Sequence, residues 1–253
     1  MTNIVLTGAS SKMGLVTIKK FLQKYADCKI LCITRNANSL YEQLERVNIS
    51  TEQILVAETD LSNTKESKDR LCPILESIGS IDILVNIAGF FHSKPFLDTC
   101  ENDFDMLVGC NLKTIYSSIS IVIPYMLSSR HGNIVNISSA LGLHTINGSN
   151  NVVYDAVKAA VIQLTKSLAK ELGKSNIRVN CICPGILHPS DDYLMGLPYE
   201  QESINKIMRH LNHQPLQFFG SYANVADAIV FLSSEESSWT TGAVLSIDGG
   251  IIL

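Results

Sequence analysis

The sequence is short of charge. Only 17% of its 253 residues are Asp, Glu, Lys or Arg, and the formal net charge is −4. With 46% hydrophobic residues, such a chain folds around a core rather than remaining disordered. It carries no basic surplus to attract nucleic acid. Long apolar runs are also missing. The hydrophobic stretches are short and broken by polar or charged residues, so none reads as a membrane span. The first residues, Met1-Thr2-Asn3-Ile4-Val5-Leu6-Thr7, lack the basic region and long apolar segment of a signal peptide and read as a strand, so a cytoplasmic protein is expected. No Cys-x-x-Cys pair occurs. Cys28, Cys32, Cys72, Cys100, Cys110, Cys181 and Cys183 are odd in number and lie in apolar stretches, which predicts reduced core thiols. His210 and His213 can share a helix face, but no Cys/His cluster has ligand spacing, and no metal site is predicted. Neither repeat nor linker divides the chain, so residues 1–253 are expected to form one domain.

What the sequence does have is a rhythm. Short Ile/Val/Leu-rich runs at Asn3–Thr7, Lys29–Thr34, Gln53–Glu58, Ile81–Asn86, Asn133–Ser138, Arg178–Cys183 and Ala243–Ile247 predict seven strands. Several are near-continuous rather than alternating, as in parallel strands covered on both faces. Between them lie helical patterns at Gly14–Ala26, Asn38–Val47, Asn63–Ile78, Glu101–Ser129, Val152–Leu172 and Asn224–Ser233. The β-α-β-α order predicts an α/β, Rossmann-type, doubly wound parallel sheet flanked by helices on both faces. The stretch Ile186–Gly220 breaks the rhythm and is expected to form a lid over a substrate.

Thr7-Gly8-Ala9-Ser10-Ser11-Lys12-Met13-Gly14 follows the first strand and opens the first helix. That is the context of a dinucleotide phosphate loop, where backbone N–H groups and a helix N-terminus receive a pyrophosphate. A site that prefers NAD presents an acid about 20 residues further on. The second strand instead ends Cys32-Ile33-Thr34-Arg35-Asn36, with no carboxylate. Arg35 is suited to a 2′-phosphate, which implies NADP(H).

Tyr154 and Lys158 lie four apart in a run without Gly or Pro, so they share one helical face. A phenol has a reference pKa of about 10. A nearby ammonium group is expected to lower it, letting the pair pass a proton to or from a carbonyl oxygen.

These features, taken in order, resemble the short-chain dehydrogenase/reductase family over essentially the whole chain. The phosphate loop is similar to the family's Thr-Gly-x-x-x-Gly-x-Gly, with Lys12 in place of its middle glycine. Asp60-Leu61-Ser62 resembles the loop whose Asp contacts adenine, and Asn86-Ile87-Ala88-Gly89 resembles the Asn-Asn-Ala-Gly stretch. Asn111, Ser139, Tyr154 and Lys158 match the catalytic set; Ser139 is chosen over Ser138 by its spacing from Gly142. Pro184-Gly185 and Thr241-Gly242…Asp248-Gly249-Gly250 match the closing motifs, with backbone near Ile186 standing in for a threonine that reaches the nicotinamide in the family.

The resemblance implies cofactor contacts from Gly8, Ser10, Ser11, Lys12, Met13, Gly14, Arg35, Asp60, Leu61, Asn86, Ala88, Gly89, Tyr154, Lys158, Pro184, Gly185 and Ile186. It implies hydride transfer between NADPH and a carbonyl, with Tyr154 as proton donor. A non-catalytic dinucleotide sensor on the same fold is the alternative. Ser129-Arg130-His131-Gly132 is similar to a segment of 3-oxoacyl-carrier-protein reductases, where basic residues near the mouth meet the acidic carrier; Arg130 and Lys174 are the candidates here. A small-molecule or carrier-bound carbonyl substrate is expected. A homotetramer, with a dimer second, follows from the family's use of its long helices and C-terminal tail.

Overall fold

The computed structural model describes residues 1–146, 150–188 and 214–253. Strands β1 (Thr2–Thr7), β2 (Cys28–Thr34), β3 (Ile54–Glu58), β4 (Ile83–Asn86), β5 (Gly132–Ile137), β6 (Ile177–Pro184) and β7 (Val244–Ile247) form one sheet in the order β3-β2-β1-β4-β5-β6-β7. Every neighbouring pair is parallel. The chain crosses over between β3 and β4, which opens a crevice at the carboxyl ends of β1 and β4, the switch point where such sheets bind ligands.

Helices α1 (Lys12–Lys24), α2 (Ala37–Arg46), α3 (Thr64–Ile78), α4 (Glu101–Val108), α5 (Thr114–Ser129), α6 (Val152–Leu172) and α7 (Tyr222–Ser233) fill the two outer layers. Strand side chains alternate between them. Ile4, Leu6, Ile30 and Ile182 pack with α1, α2 and α7, while Val5, Leu31, Leu84 and Val179 pack with α3, α5 and α6. Burial on both faces explains why the strands read as unbroken apolar runs.

The long helix expected over Glu101–Ser129 is interrupted. A π-helical turn at Gly109–Lys113 separates α4 from α5. This 29-residue stretch is long and apolar enough to cross a membrane by length and composition, contrary to the reading of the sequence alone. Half of its most apolar window is buried in the protein, and Ile115, Ile119, Val122 and Met126 belong to the core beneath it. Its apolarity is accounted for by that packing.

The two ends of the expected lid meet. Leu187 bridges to Gly220, the His188 N–H donates to the Gly220 carbonyl at 2.8 Å, and the Gly220 N–H donates to the Ile186 carbonyl at 3.1 Å. Residues 189–213, including His210 and His213, lie outside the described residues.

Candidate active site

The first wall of the site is the turn from β1 into α1. Gly8 has φ +68°, and a Cβ there would stand 2.7 Å from the Ala88 nitrogen, so glycine alone lets this turn cross the end of β4. A Cβ on Gly14 would meet the Gly8 carbonyl oxygen at 2.5 Å. Ser11 caps α1: its hydroxyl accepts from the Gly14 N–H at 3.0 Å and donates to the Gly8 carbonyl at 2.8 Å. The first turn of α1 carries no acidic residue. A tight glycine cradle at a helix N-terminus fits a pyrophosphate. Arg35 stands exposed just past β2, on the side of Asp60. Partial burial pushes the Asp60 carboxyl up, but hydrogen bonds from Ser62 and the charges of Arg35 and Lys113 outweigh it and hold the carboxyl below its usual range.

The second wall is built on β5 and α6. Ser138 directly follows the strand and donates to the Lys158 carbonyl at 2.7 Å, so its hydroxyl is structural. Ser139 begins the next turn, its hydroxyl accepting from the Leu141 N–H at 3.2 Å, and it lines the same cleft as Tyr154. Tyr154 is in the first turn of α6, and Lys158 follows one turn later on the same face. The Lys158 ammonium donates to the Ile137 carbonyl at 3.2 Å and lies 5.7 Å from the centroid of the Tyr154 ring.

The π-helical turn contributes the third wall. It directs Asn111 inward, where its carboxamide donates to the carbonyls of Phe90 (2.9 Å) and Leu107 (3.0 Å) and its oxygen accepts from the Phe90 N–H at 3.0 Å. A π turn adds one residue to the helix and so re-aims a side chain, a frequent device at functional sites. Gly89 joins the walls: a Cβ there would lie 2.9 Å from the Asn111 oxygen and 3.4 Å from the Lys158 nitrogen. Together the walls enclose a cleft of about 370 Å³ that holds Ser139, Tyr154, Lys158 and Asn111 beside the phosphate loop.

Comparison with known proteins agrees with this geometry. Residues 8–252 match the family model described as enoyl-(acyl carrier protein) reductase. The chain is 34% identical over 250 residues to a 3-oxoacyl-[acyl-carrier-protein] reductase, FabG, of Thermotoga maritima, covering 98% of this chain and 97% of that one. It is also 34% identical to dehydrogenase/reductase SDR family member 6 of Rattus norvegicus, covering 98% of this chain and 96% of the relative. This chain belongs to the short-chain dehydrogenase/reductase family. Among solved structures, ElxO with NADP bound superposes with a TM-score of 0.87 at 27% identity, covering 99% of this chain and 98% of ElxO. Membership of this family makes the protein an oxidoreductase.

Among the residues expected from sequence in this short-chain dehydrogenase/reductase, Ser11, Lys12, Met13, Gly89, Asn111, Ser139, Tyr154, Lys158, Pro184 and Gly185 line the cleft. Gly8 and Gly14 shape it from behind. Thr34, at the end of β2, touches the Ser10 hydroxyl at 3.2 Å, which brings Ser10 toward Arg35. Asp60 and Leu61 lie past β3, Ala88 backs Gly8, and Ile186 joins the strap to Gly220. Asn86 is engaged elsewhere. Its carboxamide donates to Asn136 at 2.8 Å and accepts from Ser118 at 2.6 Å, inside the sheet layer. Lys12 opens α1 with a helical backbone rather than a positive φ, so lysine replaces glycine there without backbone strain.

The expected electrostatics of the pair require correction. Burial pushes the Tyr154 phenol up to about 12; the Ser139 hydroxyl opposes this and the Asp155 charge adds to it. Lys158 is not among the groups that lower it. Its ammonium is itself buried and pushed down to about 8, with the thiols Cys181 and Cys183 acting in the opposite direction. In this protein matrix desolvation outweighs the attraction inferred from the spacing. Arg130 and Lys174 are also not at this mouth. They follow the C-terminal ends of α5 and α6, and the 18 residues from Tyr154 to Leu172 span about 27 Å of helix. Phe90, Phe91 and Tyr222 line the cleft and went unread. The only signal was a pair of large aromatics directly after Asn86-Ile87-Ala88-Gly89.

Proposed function

We propose that this short-chain dehydrogenase/reductase reduces a 3-oxoacyl thioester to the 3-hydroxyacyl product, with the acyl group borne on an acyl carrier protein. The observation that carries this reading is the convergence of Ser139, Tyr154, Lys158 and Asn111 in one cleft beside the phosphate-loop residues Ser11, Lys12 and Met13. Full-length similarity to 3-oxoacyl-[acyl-carrier-protein] reductases supports the substrate class.

NADPH, when bound, supplies a hydride to the carbonyl carbon. Tyr154 donates its phenolic proton to the carbonyl oxygen. Ser139 hydrogen-bonds that oxygen as charge develops on it. Lys158 holds the nicotinamide ribose and returns a proton toward Tyr154. Asn111 keeps one acceptor lone pair after its bond from Phe90, and Gly89 leaves open the gap to Lys158, where a water can relay that proton. Gly8, Ser10, Ser11, Lys12, Met13 and Gly14 hold the pyrophosphate, Arg35 the 2′-phosphate, and Asp60 with Leu61 the adenine. The backbone of Asn86, Ala88 and Gly89 and the strap from Pro184 and Gly185 to Ile186 complete the cofactor site.

The homotetramer belongs to the same reading. Phe104 and Tyr116 on α4 and α5, and Trp239 and Leu253 near the C-terminus, are exposed apolar residues suited to subunit contacts. Antiparallel pairing of α6 between subunits would carry the Arg130 and Lys174 end of one chain toward the mouth of another. The seven cysteines are all free, in keeping with a cytoplasmic, reducing compartment.

The test is NADPH oxidation with a 3-oxoacyl carrier protein, the matching small thioester and a panel of simple ketones. The carrier-bound substrate should give the highest kcat/KM. Equal or better turnover of a simple ketone would reject the carrier, and tight NADPH binding without turnover of anything would favour a dinucleotide sensor.

A further inference from the structure

Phe90 and Phe91 follow Gly89 directly, on the loop leaving β4. Two consecutive large apolar side chains remain exposed here, Phe90 by 42% and Phe91 by 56%, although both border the cleft. The loop is held rather than loose. Phe90 exchanges two hydrogen bonds with Asn111, the Lys94 N–H donates to the Asn150 carbonyl at 2.8 Å, and the Lys94 ammonium pairs with Asp103 at 2.6 Å. The two rings point different ways. Phe90 stacks on His92, with centroids 6.2 Å apart and planes 15° apart. Phe91 meets Tyr154 edge-to-face, with centroids 5.0 Å apart and planes at 89°. An edge-to-face pair fixes ring orientation and covers only part of each ring.

A carbonyl oxygen accepting from the Tyr154 hydroxyl sits within about 3 Å of it. Phe91, 5.0 Å from the Tyr154 ring, 56% exposed and lining the same cleft, offers its free surface to a substituent of that carbonyl carbon. We propose that Phe91 is the specificity-determining wall of the site, on which the unbranched alkyl chain of a 3-oxoacyl substrate lies. Covering an exposed ring with methylenes removes apolar surface from water on both partners, so each added methylene within reach strengthens binding. Phe91 thereby discriminates by chain length, while Tyr154 performs the proton transfer. The inference rests on the reading of Tyr154 as the donor to a ketone oxygen.

The test compares wild type with Phe91→Ala and Phe91→Leu, using NADPH and 3-oxoacyl N-acetylcysteamine thioesters lengthened two carbons at a time. Wild type should gain about three- to tenfold in kcat/KM per step until the chain outgrows the ring. Phe91→Ala should gain less than about twofold, and Phe91→Leu an intermediate amount. The NADPH dissociation constant should be unchanged in both variants. A uniform loss on every thioester with the wild-type slope retained would overturn the proposal and leave Phe91 as packing for Tyr154. Calorimetric binding of the same thioesters to Tyr154→Phe and Tyr154→Phe/Phe91→Ala proteins, each loaded with NADP⁺, reads the slope without turnover. Absent turnover in wild type therefore sinks the reductase reading alone, whereas a binding slope that survives Phe91→Ala sinks this one.

Discussion

A Cβ built on Gly142 would stand 2.7 Å from the carbonyl carbon of Lys158 and 2.9 Å from the Ala159 nitrogen. The short turn Ala140–Gly142 therefore lies directly on the backbone of α6. The Gly142 N–H donates to the Ser139 carbonyl at 3.0 Å, so the same contact helps hold the serine that shares the cleft with Tyr154. Gly142 is not in the left-handed region, and its requirement is steric alone. Gly142→Ala must displace one backbone from another, an overpacking cost of about 1–3 kcal/mol. We expect a lower Tm and a kcat reduced by about tenfold or more, with the NADPH dissociation constant within about twofold of wild type. Steady-state kinetics and cofactor fluorescence titration separate the two effects.

Tyr154→Phe retains the ring that packs on Phe91 and removes only the hydroxyl. Loss of a positioned proton donor lowers kcat by about 10²–10⁴-fold. NADPH binding, read by fluorescence, should hardly change. Turnover near the wild-type level would contradict the role assigned to Tyr154.

Asp155 follows the tyrosine and carries a buried carboxylate oxygen with no hydrogen-bond partner among the described residues. Burial pushes its carboxyl up to about 6. The unfolded chain releases this proton near pH 4. The folded protein thus holds the proton more tightly, and stability falls as pH rises from about 4 to about 6, remaining lower above that. Asp155→Asn removes the penalty. Its Tm should exceed that of wild type at pH 8 and converge with it near pH 4 in thermal melts. The Asp155 charge also raises the Tyr154 pKa, so the basic limb of the kcat profile should move to lower pH in this variant.

Arg35 is exposed just past the end of β2, where Thr34 stands in place of an acid. A charge-assisted contact of this kind contributes about 1.5–3 kcal/mol. Arg35→Asp should therefore raise the KM for NADPH by about tenfold or more and leave the KM for NADH level or lower. A parallel loss for both cofactors would show that Arg35 does not meet the 2′-phosphate.

Much of the site was legible because its signals are local. Tyr154 and Lys158 are neighbours by helical periodicity, and Gly8 through Gly14 declare a strand-to-helix turn by composition. Ser139 is expected over Ser138 from the family's spacing to Gly142, and the bond of Ser138 to the Lys158 carbonyl came only from the tertiary structure. Phe91 was not readable, because nothing in Gly89-Phe90-Phe91-His92 states which ring turns toward a helix more than 60 positions later in the chain. The side-chain partners of Asn86 were unreadable for a similar reason. Ser118 and Asn136 come from other elements and draw it into the sheet layer.

The sequence by itself determined the seven strands, the alternation of helices, the phosphate loop, the absence of an acid after β2 and the one-turn spacing of Tyr154 and Lys158. Periodicity and turn chemistry act over a few residues, and a single chain displays them in full. Tertiary structure decided the strand order, the π-helical turn that points Asn111 inward and the aromatic contact of Phe91 with Tyr154. It also reversed the expected shift of the Tyr154 phenol. Desolvation depends on everything packed around a group, and that enclosure is built from residues distant in sequence.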